Sequence, residues 1–242
     1  MRCLLMILLA ALANLAFAAD YVREKKWADE ITPGIVVGDP VYLEQHNHHK
    51  FLTLFTEAKD AKISVIIVHG SGIHPDWGMI GTLRTQLADE GYTTLSVQMP
   101  VLGADAKPEE YKATYQEAAE RLKESIAFLK AKGYEKIGIV SHSMGSKMTH
   151  FYLVNNPDSG VSGWAALGIS EVEDFSRINM PVLDLYGAND FPWVLKGVNK
   201  RGESLQNKTG SKQVSVQKAD HFYTSHEAEM VNQVKTFLDV SF

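Results

Sequence analysis

Three residues in this chain are of the types, and stand in the order, that nucleophilic acyl chemistry requires. Ser143 lies in "SHSMGS", directly after the apolar run "KIGIV" and directly before "KMTHFYL". A serine hydroxyl attacks a carbonyl carbon only when a base takes its proton, and the base needs a carboxylate to orient it. Asp190 follows "PVLDLY" in "GANDFPW", and His221 follows "KQVSVQ" in "KADHFYTSH". Each stands just beyond its own strand-like run. Rival readings exist for all three. Ser143 also suits a helix N-cap. Asp190 suits a turn, and Glu171, Glu173 and Asp174 follow the preceding apolar run as alternative acids. His226 competes with His221, but "TSHEAEMVNQVKTFL" reads as a helix that carries it away.

A serine held on a sharp strand-to-helix corner needs small residues two before and two after it, because neighbouring backbones come close. Ser141 and Gly145 fill those places, with serine standing where glycine is usual. The negative charge that develops on the attacked carbonyl needs backbone N–H donors. Met144, next after Ser143 at a helix start, supplies one. The second is expected from "VHGSGIHPDW", at Ser71 with Gly72 in reserve, since glycines let this turn swing its amides inward. The same turn lacks the glycine spacing and the lysine of a phosphate-binding loop.

The elements that must position these residues follow from hydrophobic periodicity. "GIVVGD" (34–39) with "PVYLEQ", and "FLTLFTE" (51–57), read as an antiparallel hairpin around the polar turn "HNHHK". Further strands are expected at 63–68, 93–98, 136–141, 163–169, 181–186 and 212–217. Between them lie helical patterns, clearest from Pro108 to Lys132, where proline opens the run and Gly133 ends it. Asp76 reads as the N-cap of "WGMIGTLRTQLADEG". Strands alternating with helices after a hairpin imply a mainly parallel twisted sheet covered on both faces, whose strand ends at the carboxyl side hold the ligand. Only about ten residues separate "WAALGIS" from "PVLDLY", too few for a helical cap domain.

Bulk properties narrow the class. With 242 residues, 45% hydrophobic and 22% charged, the chain suits one α/β domain with a large core. A net charge of −5, without a lysine or arginine block, argues against nucleic acid as a partner. "MRCLLMILLAALANLAFA" has the basic start, apolar run and A-x-A end of an export signal, so residues 1–18 are expected to be removed after Ala18. The run is close to the lower limit for a membrane span and Asn14 interrupts it, so no stable span is expected after cleavage. The single cysteine, Cys3, would go with it, leaving residues 19–242 without disulfide, cysteine metal site or thiol nucleophile. His46, His48 and His49 read as a solvated turn rather than a metal site, and no cofactor is expected. His142 and His150 are expected to be structural, and Trp193 to pack in the core.

Taken together, "HGSG", "SHSMGS", "GAND" and "ADHF" resemble the α/β-hydrolase superfamily, serine-esterase type, over roughly residues 33–242. "HPDW" followed by "LSVQMP" is similar to a group of exported bacterial α/β hydrolases. The resemblance implies an acyl-enzyme on Ser143, proton transfer by His221 and orientation of His221 by Asp190. His69 is implied to pack behind the turn that carries Ser71. Serine at the nucleophile position argues against the superfamily's aspartate-dependent dehalogenases and cysteine-dependent dienelactone hydrolases. The expectation is therefore a secreted or periplasmic enzyme acting on small carboxylic esters or thioesters, with peptidase as a variant. The alternative is an inactive binding protein of the same fold. Oligomeric state is left open.

Overall fold

The computed structural model describes residues 19–170 and 174–242. The expected leader, 1–18, and the rival acids Glu171 and Glu173 lie outside the described residues. The elements are, in chain order, α1 (Tyr21–Ile31), β1 (Asp39–Glu44), β2 (Lys50–Thr56), β3 (Ile63–Val68), α2 (Gly78–Asp89), β4 (Thr93–Val97) and α3 (Tyr115–Ala131). They continue with β5 (Lys136–His142), α4 (Met144–Asn155), β6 (Val161–Leu167), β7 (Val182–Gly187), α5 (Pro192–Leu195), α6 (Val198–Leu205), β8 (Lys212–Val216) and α7 (Glu227–Ser241).

The strands form one sheet in the order β1-β2-β4-β3-β5-β6-β7-β8. β2 runs antiparallel to β1 and β4, and the remaining neighbours are parallel. β3 shows why the centre is buried on both faces. Its run "ISVIIV" is apolar but for Ser64 and largely β-branched, and alternate side chains enter opposite layers. Ile66 and Val68 join the layer containing Leu122, Ile126 and Leu129 of α3 and Met148 and Tyr152 of α4. Val65 and Ile67 join the other, with Ile80, Leu83 and Leu87 of α2 and Val234, Phe237 and Leu238 of α7.

The connection leaves β3 outward to β4 and then crosses back to β5. That reversal opens a crevice at the carboxyl ends of β3 and β5, the place where such sheets bind ligands. Between β6 and β7 the described residues contain no helix, in keeping with the absence of a cap domain.

Three local expectations need correction. Residues 34–38 are not strand: Val36 is 92% exposed, and only from Asp39 does the backbone pair with β2. The helix expected from Pro108 begins with a 3-10 segment, Pro108–Thr114, before α3. Asp76 does not cap α2; Trp77 holds that position, and Asp76 Oδ1 accepts a 2.6 Å bond from Arg84 Nε. α1 was not expected at all. It covers β2 through Ala28 against Leu52 and Leu54, and is tied to α3 by Glu24, which meets Arg121 at 2.9 and 3.2 Å.

Candidate active site

Ser143 occupies the corner between β5 and α4 with φ 55° and ψ −120°, a conformation that a non-glycine residue adopts only under constraint. The constraint is visible. Ser143 N–H donates to the Leu167 carbonyl of β6 at 2.8 Å, and the helix begins at once with Met144. Gly145 is required by close approach, since a Cβ there would be driven into the His69 carbonyl oxygen. Serine is accepted at 141 because its hydroxyl is engaged. Trp164 Nε1 donates to Ser141 Oγ at 2.7 Å, and Ser146 Oγ donates to the Ser141 carbonyl at 2.9 Å.

The three sequence-selected side chains meet at this corner. Ser143 Oγ lies 2.9 Å from His221 Nε2, and His221 Nδ1 lies 2.6 Å from Asp190 Oδ1. With a carboxylate on Nδ1, the imidazole carries its proton there and presents Nε2 as an acceptor to the serine hydroxyl. The carboxylate is itself fixed: Oδ1 accepts the Phe191 N–H at 2.7 Å and Oδ2 the Gly187 N–H at 3.4 Å. Asp190 comes from the turn after β7 and His221 from the loop after β8, both nearly out of solvent. The rivals go elsewhere. His226 turns to the Thr224 carbonyl at 2.9 Å, and Asp174 holds Ser176 and faces Lys200.

The two N–H groups expected to face an oxyanion, those of Met144 and Ser71, are placed by backbone geometry. Met144 is the first helical residue, so its N–H has no acceptor within α4. On the opposite side His69 is buried, and burial pushes its imidazole down to about 3, so it is neutral. Its Nε2 accepts the Met99 N–H at 2.9 Å, which leaves Nδ1–H to donate to the Gly70 carbonyl at 2.7 Å. Holding that carbonyl inward turns the other end of the same peptide plane, the Ser71 N–H, the opposite way. Gly70, Ser71, Ser143 and Met144 line one cleft of about 330 Å³, while Gly72 does not line it.

His142 exceeds the expectation made for it. Its Nε2 donates to the His221 carbonyl at 2.9 Å, and the two rings are 4.6 Å apart. Burial pushes His142 to about 3. It therefore ties the His221 loop to the Ser143 corner as a neutral donor. No local signal marked this, because the bond joins residues 79 positions apart. Trp193 is also corrected: it is half-exposed and lines the cleft, with Phe191 4.6 Å away by ring centroids. The three turn histidines each face a carboxylate, His46 with Glu120, His48 with Glu44 and His49 with Glu24. His150 Nε2 meets the Asp174 carbonyl at 2.9 Å.

Solved structures can now be compared. A dienelactone hydrolase from Anabaena variabilis aligns with a TM-score of 0.66 at 16% identity, covering 84% of this chain and 99% of that one. A serine hydrolase without lid from Xanthomonas campestris gives 0.67 at 13%, covering 85% and 95%. An esterase from Pyrococcus furiosus gives 0.65 at 16%, covering 83% and 90%. The chain has the α/β-hydrolase fold. Here Ser143 follows β5, Asp190 follows β7 and His221 follows β8, the chain order serine, acid, histidine. A family described as "Protein of unknown function (DUF3530)" matches residues 39–119, which include Ser71 but none of Ser143, Asp190 and His221. No curated protein matches the chain in sequence.

Proposed function

We propose that the protein is a serine hydrolase of small carboxylic esters or thioesters, working through an acyl-enzyme on Ser143. The observation that carries this reading is the hydrogen-bonded line Ser143–His221–Asp190, at 2.9 and 2.6 Å, beside two unengaged amide directions. In the first half-reaction Ser143 Oγ bonds to the carbonyl carbon as its proton passes to His221 Nε2. The carbonyl π pair moves onto oxygen, facing the Met144 and Ser71 N–H groups. Collapse of this intermediate breaks the bond to the leaving oxygen or sulfur, which takes the proton from His221. Water then repeats the sequence on the acyl-serine, with His221 as base, releasing the acid and restoring the serine.

The three solved relatives named above, a dienelactone hydrolase, a serine hydrolase and an esterase, support hydrolytic chemistry on this scaffold. The modest cleft, bordered by Phe191, Trp193 and Phe222, fits a small ester with an apolar part better than a polymer chain threaded through the site. Export with removal of residues 1–18 is part of the proposal, and no described helix is long and apolar enough to cross a membrane. A fluorophosphonate probe tests the core of the reading. Covalent labelling of the purified protein that disappears in Ser143→Ala is expected; labelling retained in that variant would place the reactive residue elsewhere, and none in either would point to the inactive binding protein.

A further inference from the structure

We propose that Lys147 makes this cleft selective for esters whose acyl group carries a second, ionised carboxylate: half-esters of short dicarboxylic acids. The inference rests on the serine-hydrolase reading above and extends it to a substrate class.

Lys147 is the only lysine, arginine, aspartate or glutamate among the described residues that line the cleft. Like most lysines of the chain it has no carboxylate partner among the described residues, and in this it differs from the five that are ion-paired. Lys25, Lys26, Lys50, Lys200 and Lys235 all sit within 4 Å of a carboxylate. The Lys147 ammonium has no ion pair or hydrogen bond to a described residue, although its side chain is partly buried. Its place along the helix is unusual too. It stands in the first turn of α4, whose end carries partial positive charge and disfavours a cation. No described carboxylate compensates that placement. An anion brought by the substrate would.

Which half of the substrate bears the charge follows from proton transfer. The leaving atom must be protonated by His221 Nε2, so the leaving group lies on the His221 side. That side is walled by Phe191 and Phe222, whose rings lie 4.4 and 5.1 Å from the imidazole. The acyl chain takes the remaining direction, along Met144. Side chains on a helix lean towards its N-terminus, so the Lys147 stem runs back from one turn below, about 5 Å, towards Met144 and the cleft. A carboxylate a few methylenes from the acyl carbon reaches that ammonium. The same half-buried position keeps the pair less screened than a fully exposed one.

The test compares mono-p-nitrophenyl glutarate with p-nitrophenyl valerate, subtracting uncatalysed hydrolysis, in wild type, Lys147→Gln and Lys147→Glu. The readout is the ratio of the two kcat/KM values. Wild type is expected to favour the glutarate, and Lys147→Gln to lower the ratio about five- to tenfold, mainly through KM, in line with one partly exposed ion pair. Lys147→Glu should lower it further, and added salt should shrink the wild-type preference. Equal ratios in wild type and Lys147→Gln, with Ser143 still labelled by fluorophosphonate, overturn the role of Lys147 alone. Loss of all turnover and labelling in wild type overturns the hydrolase reading beneath it. Fluorophosphonate labelling of the Lys147 variants also shows that each has folded around an intact serine corner.

Discussion

Two buried polar clusters of this protein are built in opposite ways. Around Arg121 every direction is closed: Nε donates to Gln45 Oε1, Nη1 to Glu24 and the Gln98 carbonyl, and Nη2 to Glu24 and Glu117. The guanidinium is fully out of solvent, and Glu24 nearly so. The serine cleft is open. Its hydrogen-bonded line ends at a hydroxyl facing the cleft, Ser143 sits at a positive φ, and His142 Nδ1 is buried without a partner among the described residues. A closed cluster holds pieces of chain together. An open one leaves a hydrogen bond to be made by something that arrives, which is the condition for chemistry.

The sharpest way to break this contrast is to delete one group from each cluster. Ser143→Ala should lower kcat/KM for p-nitrophenyl esters by about 10⁴-fold or more, with the urea unfolding midpoint little changed. For His221→Ala a loss of roughly 10²–10⁴-fold is expected, again with the fold intact. Steady-state assays of His226→Ala serve as the control, and a comparable loss there would move the base to position 226. Arg121→Ala should do the reverse. Removing it strands the Glu24 carboxylate in the interior, at about 3–5 kcal/mol of unfolding free energy, read from urea denaturation. If Arg121→Ala proved as stable as wild type, the closed cluster would not be what pins α1.

The smallest effect sharpens the comparison through pH. Burial holds His69 and His142 at about 3, against 6.5 in the unfolded chain. Below about 6.5 the unfolded state binds protons that the folded state refuses, so stability falls as pH drops towards 3 and is unaffected by these groups above 7. His142→Asn should reduce the stability lost between pH 7 and pH 5.5 by on the order of 1 kcal/mol, measured by urea unfolding at both values. An unchanged loss would mean that His142 does not stay neutral in the folded protein.

The sheet and the serine corner were legible because their signals are local. β3, β5 and β7 are mostly apolar runs near the expected bounds, and the elbow is announced by small residues at fixed offsets from Ser143. The order serine, acid, histidine, each after its own strand, needs no knowledge of distant contacts. α1 was illegible for a physical reason. "YVREKKWADEI" shows no apolar stripe, and its buried residues are Ala28 and a glutamate, Glu24, whose partner lies 97 positions away. Trp193 misled for a related one. An aromatic beside a proline carries no mark of which way its helix will face, and α5 turns it to the cleft mouth.

By itself, then, the sequence determined the strands, the helices with an apolar face, and which three residue types follow which strands, since periodicity and turn chemistry act over a few residues. Only the tertiary structure decided who meets whom. It set His142 against the His221 carbonyl, turned the Gly70 peptide by way of His69, and left Lys147 without a counter-charge among the described residues. Those outcomes depend on the order in which the sheet places its strands side by side, and that order brings together residues that no local pattern relates.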